Sequence, residues 1–339
     1  MSTSTSTDLS RMQVSIVIPV FNAAGSLAEL HRQLVPAMEA LVTRFELILV
    51  EDSSADDSWQ VIRKLAGQDA RVRGIRLSRN YGQHNALLCG IRAAQYETIV
   101  TMDDDLQHPV SEIALLLQAL ARGHDVVYGT SDELQHDLWR ILASRLTKLA
   151  LQSAMGAKSA AQVSAFRAFP TRLRTAFDAY RSPSVSIDVL LTWATANFTA
   201  VQVKHAARLV GKSNYTVRKL ITHAFNLMTG FSTVPLQLAS MIGFVFTLFG
   251  LGVLGWVVGR YFISGSSVPG FAFLASIISI FAGAQMFTLG IIGEYLARMY
   301  GRTMERPTYV VLENCGSAAA PAATSDDGAR PAAMKIVGE

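Results

Sequence analysis

Residues 14–22 read VSIVIPVFN. A short run of Val and Ile without polar alternation, followed abruptly by polar residues, is the mark of a parallel strand buried on both faces. Working outward, Phe45–Val50 (FELILV) ends in the same way, and Val72–Leu77, Glu97–Met102 and Asp125–Tyr128 read as three more strands. Helical stretches over 25–42, 56–68, 82–95 and 110–121 lie between them. This alternation predicts a doubly wound, mostly parallel α/β sheet. Ligands of such sheets sit beyond the carboxyl ends of the strands.

Those ends carry the chemistry. The first run closes in Pro19-Val20-Phe21-Asn22, the second in Glu51-Asp52-Ser53-Ser54, the fourth in Asp103-Asp104-Asp105-Leu106-Gln107-His108-Pro109. Carboxylates gathered at one edge repel one another unless a positive group neutralises them. A hard divalent cation does so with oxygen ligands, and Mg²⁺ takes one or two carboxylates plus substrate phosphates. Asp103 and Asp105, two apart, suit such a site if the chain turns after the strand; a solvated acidic loop or a helix cap before Pro109 is the alternative. His84 and His108 read as helix surface and loop, and Cys89 as core.

Composition bounds the rest. The 339 residues are 50% hydrophobic and 17% charged, with two cysteines and a formal charge of +4. That excludes a disordered chain and a disulfide scaffold, and favours a reducing, cytosolic setting. Residues 1–130 carry 11 basic and 15 acidic side chains, whereas 131–232 carry 13 and 5. This balance suits metal and phosphate chemistry or contact with anionic lipid, and no nucleic-acid motif accompanies it.

Val234–Gly259 and Phe271–Gly293 hold no charge over 26 and 23 residues, each enough to cross a bilayer core. Lys204, Arg208 and Lys212 precede the pair and Arg298, Arg302 and Arg306 follow it, so both flanks are expected on the cytoplasmic side. The expected organisation is a flexible leader (1–11), an α/β domain (12–210), a juxtamembrane amphipathic segment (211–232), a two-helix membrane hairpin within 233–298, a cytosolic return (299–312) and a disordered tail (313–339).

The motifs IVIPVFN, EDSSADDS, SRNYGQHNAL (78–87), DDDLQHP, HAARLVGKSNYTVRKL (205–220), FSTVPLQLAS (231–240) and residues 283–311 occur in an order that resembles family 2 glycosyltransferases of the GT-A fold. Within that family the chain is most similar to the polyprenyl-phosphate sugar transferases, the bacterial formamido-aminoarabinose group above all. The resemblance implies a metal-dependent enzyme moving a sugar from a nucleotide-sugar, a UDP-sugar by analogy, to undecaprenyl phosphate. It implies that Pro19, Val20, Asn22, Asp52, Arg79, Asn80, Asp103 and Asp104 hold the donor. Asp105, with Asp103 and Gln107, would hold Mg²⁺ or Mn²⁺, so that Asp103 and Asp105 are catalytic together with Arg167 on the acceptor side. Arg208, Lys212, Ser213 and Tyr215 would grip the lipid phosphate.

The same resemblance implies the bacterial inner membrane with both termini cytoplasmic, a homo-oligomer (a tetramer among the options) and a downstream lipid-sugar flippase. One departure stands out: where many relatives carry an Asp, residues 161–165 read Ala-Gln-Val-Ser-Ala. A phosphate acceptor softens the loss, because its second pKa of about 6 leaves it mostly dianionic at neutral pH. A donor-binding scaffold without turnover and a processive polysaccharide synthase are the rival readings.

Overall fold

The structure, a computed structural model, describes residues 9–130, 163–183, 185–204, 233–264 and 270–316. The five expected strands form as β1 (Gln13–Val20), β2 (Arg44–Glu51), β3 (Val72–Leu77), β4 (Thr98–Thr101) and β5 (Val126–Thr130). Helices α1 (Ala24–Leu41), α2 (Ser58–Gln68), α3 (Gln83–Ala93) and α4 (Ile113–Ala121) alternate with them. Three strands were not legible: β6 (Arg167–Pro170), β7 (Phe198–Gln202) and β8 (Val311–Cys315). A further helix, α5 (Ile187–Ala194), precedes β7.

The sheet runs in the order β7-β5-β6-β4-β1-β2-β3-β8. β1 pairs in parallel with both β2 and β4, β2 with β3, and β5 with β7. β6 runs antiparallel between β4 and β5, and β8 runs antiparallel along the outer side of β3.

The unbroken apolar runs make sense because each strand feeds two cores. Val14, Ile16, Ile18 and Val20 of β1 pack with Leu27, Leu30 and Leu34 of α1 and Ile113, Leu116 and Leu117 of α4. Val17 points the other way, into a core with Leu87, Leu88 and Ile91 of α3 and Ile187, Leu190 and Leu191 of α5. Successive strand side chains alternate between faces, so a sheet covered on both sides is apolar at most positions, and two buried exceptions, Ser15 and Glu46, bond each other at 2.7 Å. Gly90 lets α3 approach closely, since a Cβ there would lie 2.3 Å from Val17 Cγ1. The strand order reverses between β1 and β4, the switch point at which such folds bind ligands.

Both expected tails shorten. Leu9–Arg11 is a turn of 3-10 helix whose Leu9 is buried in the α1-side core, so the leader is not loose to residue 11. Residues 313–315 belong to β8 and not to a disordered tail. β3 would otherwise expose a row of unpaired backbone groups, and an added strand satisfies them. The Trp59 indole N–H donates to Glu313 Oε2 at 3.0 Å and fastens this strand from the α2 side.

Two long helices follow the sheet domain: α6 (Val234–Ser264) and α7 (Phe271–Thr303). Val234–Ile263 and Ile280–Thr303, with mean hydropathy 2.2 and 1.3, are long and apolar enough to cross a membrane. Their large side chains, Phe244, Leu248, Leu251, Phe287 and Leu289 among them, face outward. The helices touch where Phe281 packs edge-on to Phe246 and lies over Gly250. α7 does not stop at Gly293 but continues to Thr303, carrying the Glu294–Arg298 ion pair (2.7 Å) one turn apart on its own surface.

Candidate functional site

The loops beyond β1, β2, β3 and β4 enclose one cleft of about 240 Å³. Pro19, Val20, Asp52, Asn80, Asp103, Asp104 and Asp105 line it, together with Phe21, Gly82 and Gln83. Three of these loops turn through a left-handed residue: Asn22 (φ 53°), Ser53 (φ 57°) and Leu106 (φ 60°). Asn adopts this conformation readily, whereas for Ser and Leu it costs roughly 1–2 kcal/mol each. Such strain gathers where the fold must hold a loop in a set shape for function.

The loops are sutured by their own side chains. Asp52, 3% exposed, accepts the backbone N–H groups of Tyr81 (2.7 Å) and Gly82 (2.8 Å) and so fixes the β3–α3 loop. Burial pushes the Asp52 carboxyl upward, the two amides draw it back, and the neighbouring Glu51 charge adds to the rise. Gly82 sits at φ 93°, where a side chain would be strained. Asn22 Oδ1 accepts from Ala55 N–H at 2.9 Å while the Asn22 N–H donates to Ser54 Oγ at 3.0 Å. Asn22 therefore ties the β1 loop to the β2 loop and does not line the cleft.

Of the acidic stretch after β2, Glu51 pairs with Arg76 (3.1 Å) and accepts from Ser54 N–H. Asp56 takes the Ala24 N–H at the start of α1 (3.0 Å). These carboxylates hold the scaffold together. The Asp103–Asp105 triplet faces the cleft instead. Asp103 Oδ1 accepts from Gln83 Nε2 at 2.7 Å, Asp104 Oδ2 from Phe21 N–H at 3.3 Å, and Asp105 Oδ1 from Gln107 N–H at 3.2 Å. Burial pushes the Asp104 carboxyl up to about 7, against the Phe21 amide and with the charges of Asp103 and Asp105 adding to the rise.

A divalent cation fits this donor set. Asp103 and Asp105 are hard oxygen donors, half-buried at the open edge of the sheet, on either side of a carboxyl that burial raises. Among the described residues no group of three or more His, Cys, Asp and Glu side chains converges as a metal cage. The pair alone suits a cation that completes its shell with water and substrate phosphate, as Mg²⁺ does.

Several sequence-derived candidates fall elsewhere. Arg79 stacks over the Tyr81 ring, 4.6 Å from its centroid, and Gln107 contributes a backbone amide; neither lines the cleft. Arg79 and Asn80 precede α3, which begins at Gln83. Arg167, expected on the acceptor side, is 1% exposed in β6, where it pairs with Asp188 and donates to Thr101 Oγ1 at 3.1 Å. Asp188 also accepts the Tyr128 hydroxyl at 3.0 Å. Arg167 thus belongs to a buried network of four residues and does not line the cleft. His84 accepts the Ile187 N–H at 3.3 Å, His108 stacks on Phe166, and Cys89 is core. Arg208, Lys212, Ser213 and Tyr215 lie outside the described residues, as do the amphipathic segment and residues 161 and 162. Gln83 was missed, although it stands inside the SRNYGQHNAL motif three positions beyond Asn80.

Residues 15–179 match the family model described as glycosyl transferase family 2. The chain is 36% identical over 314 residues to the undecaprenyl-phosphate 4-deoxy-4-formamido-L-arabinose transferase of Pseudomonas syringae, covering 92% of this chain and 93% of that one. The enzyme of the same name from Pseudomonas aeruginosa is 35% identical over 306 residues, covering 88% and 89%. Among solved structures, the glucosyl-3-phosphoglycerate synthase of Mycobacterium tuberculosis, in complex with Mn²⁺, uridine diphosphate and glucosyl-3-phosphoglycerate, matches 64% of this chain and 78% of that one. Its TM-score is 0.49 at 18% identity.

Proposed function

The chain belongs to glycosyl transferase family 2, and on that premise we propose that it moves a sugar from a UDP-sugar to the phosphate of undecaprenyl phosphate at the bacterial inner membrane. The observation that carries the reading is the cleft in which Pro19, Val20, Asp52, Asn80 and the Asp103–Asp105 triplet meet at the strand-order switch point. Identity to undecaprenyl-phosphate transferases along 92% of the chain supports the acceptor class.

The donor's nucleotide rests against the β1 and β2 ends, on the backbone around Pro19–Phe21 and the loop braced by Asp52. Asp103 and Asp105 face its diphosphate, Asp103 held in place by Gln83 and Asp105 by the Gln107 amide. Asp105 and Asp103 would hold Mg²⁺ or Mn²⁺, which when bound would supply Lewis-acid stabilisation of the departing nucleoside diphosphate. An oxygen of the lipid phosphate attacks the anomeric carbon as the bond from that carbon to the diphosphate oxygen breaks on the opposite side. Configuration inverts, and the electron pair leaves with the nucleoside diphosphate.

No proton has to be removed from a dianionic phosphate, which agrees with the lack of a carboxylate in 161–165. Arg208, Lys212, Ser213 and Tyr215 steer that phosphate in this reading, and alignment of the two reactants contributes much of the rate. The basic residues before α6 and at the end of α7 support a cytoplasmic placement of the domain and both termini. Gly283, Ala284 and Gly290 on α7 are small enough for close helix packing in a homo-oligomer.

Mass analysis of the lipid product, together with NMR of its anomeric centre, tests the reading. One sugar residue added per polyprenyl phosphate, with inverted anomeric configuration, is expected; polymer-length products or retention of configuration would overturn it.

A further inference from the structure

A second concavity, of about 600 Å³, lies between the sheet domain and the last turn of α7. Tyr180, Arg181 and Trp193 line it from the domain side, Arg302 and Glu305 from the helix side. Trp193, on α5, is 53% exposed and meets Tyr180 edge-on with ring centroids 5.6 Å apart. A Trp so exposed on a helix whose other large residues are fully buried is out of place in water. Met299, Tyr300 and Met304, beside Arg302 on the chain, are likewise exposed. Burial pushes the Tyr180 phenol upward while a hydrogen bond with Ser182 and the Arg302 charge draw it back, so the domain and the helix end share one electrostatic environment.

An exposed Trp, Tyr and Met surface interleaved with arginine is the composition of a bilayer interface, where aromatic rings sit at headgroup depth and basic side chains reach phosphates. Its position matches. Arg302 stands in the last turn of an apolar helix whose membrane-compatible stretch ends at Thr303. Arg181 and Arg302 outnumber Glu305 among the charged residues that line this concavity. We propose that the Trp193–Tyr180–Arg181–Arg302 surface is where the catalytic domain rests on the anionic phospholipid headgroups around α7. The proposal rests on the reading of α6 and α7 as membrane spans. Docking there would hold the domain at a fixed height and tilt over the bilayer instead of letting it swing on its connections to the spans. Each basic residue near an anionic surface adds roughly fivefold to the attraction, from about 1 kcal/mol apiece.

The full chain reconstituted in vesicles reports this directly through its tryptophans. The comparison is between phosphatidylcholine alone and phosphatidylcholine mixed with phosphatidylglycerol, each with and without phosphatidylcholine brominated high on its acyl chains. The difference between the native chain and Trp193→Phe gives the Trp193 emission; the difference with Trp256→Phe gives that of Trp256 on α6. Bromine quenching of Trp193, stronger with phosphatidylglycerol and reduced several-fold by Arg181→Gln with Arg302→Gln, is expected. Quenching of Trp256 with none of Trp193 would overturn the docking surface and leave the spans standing. Quenching of neither would overturn the membrane reading itself. Trp193 quenching indifferent to phosphatidylglycerol and to the arginine substitutions would overturn the anionic-headgroup assignment.

Discussion

Asp52 concentrates the residue-scale argument. Its two oxygens each take one backbone N–H of the β3–α3 loop, so the carboxylate shapes the cleft from beneath. Asp52→Asn turns one acceptor into a donor facing an N–H, and a mismatched buried hydrogen bond costs about 1–3 kcal/mol. The donor KM should rise by roughly tenfold or more, with a smaller effect on thermal stability; an unchanged donor KM would contradict the brace. Arg167→Ala should behave in the opposite way. Removing one partner of a buried ion pair costs about 3–5 kcal/mol, so the variant should lose much of its thermal stability, and whatever remains folded should keep donor binding.

A third residue tests electrostatics far from the site. Hydrogen bonds from Arg71 and His31 and the Arg71 charge outweigh burial and hold the Asp69 carboxyl down at about 2. A depressed carboxylate stabilises the fold above its unfolded pKa near 3.9 and loses that contribution as pH falls through about 2, an effect of up to roughly 2 kcal/mol. Asp69→Asn should therefore lower stability at pH 7 and flatten its decline between pH 4 and pH 2, as urea titrations would show.

At the scale of elements, the segment after α7 couples that apolar helix to the β3–α3 loop. Ser78 N–H donates to the Val310 carbonyl (2.9 Å), Asn85 Nδ2 to the Thr308 carbonyl (2.7 Å), and β8 closes the edge of β3. Ser78 lies two residues before Asn80 of the cleft. Ending the chain after Arg306 should expose the β3 edge, speed hydrogen exchange over 78–85 and weaken donor binding; unchanged exchange there would contradict the coupling. Gly90→Ala should cost about 1–3 kcal/mol by overpacking Val17.

The elements also show what could be read beforehand. β1, β2, β4 and β5 were legible as largely apolar runs, as strands covered on both faces require, and β3 through its buried Val72, Ile75 and Leu77 despite Arg73 and Arg76. β6 was not, because its four residues include Arg167, whose charge is met by Asp188 of α5 once the chain folds. β7 is half-exposed along its length and lacks that signature. β8 forms only because β3, far earlier in the chain, offers an edge. In the site, the acidic triplet announced itself, whereas the bracing roles of Asp52, Asp56 and Asn22 depend on which backbone amides tertiary folding brings near. Gln83 has the chemistry of any helix-surface Gln until the fold sets it against Asp103.

Taken whole, the molecule sets an acidic cleft at the carboxyl edge of a sheet that is tied, through β8 and the chain before it, to two apolar helices. This arrangement suits an enzyme whose donor is soluble and whose acceptor stays in the bilayer. The most direct test measures nucleoside diphosphate release by the detergent-solubilised chain from a panel of nucleotide-sugars, with Mn²⁺ or Mg²⁺, in the presence and absence of undecaprenyl phosphate. The account predicts release that requires the lipid and falls by at least a hundredfold in Asp105→Ala. Donor binding without release under any lipid or metal condition, or release indifferent to Asp105, would contradict it.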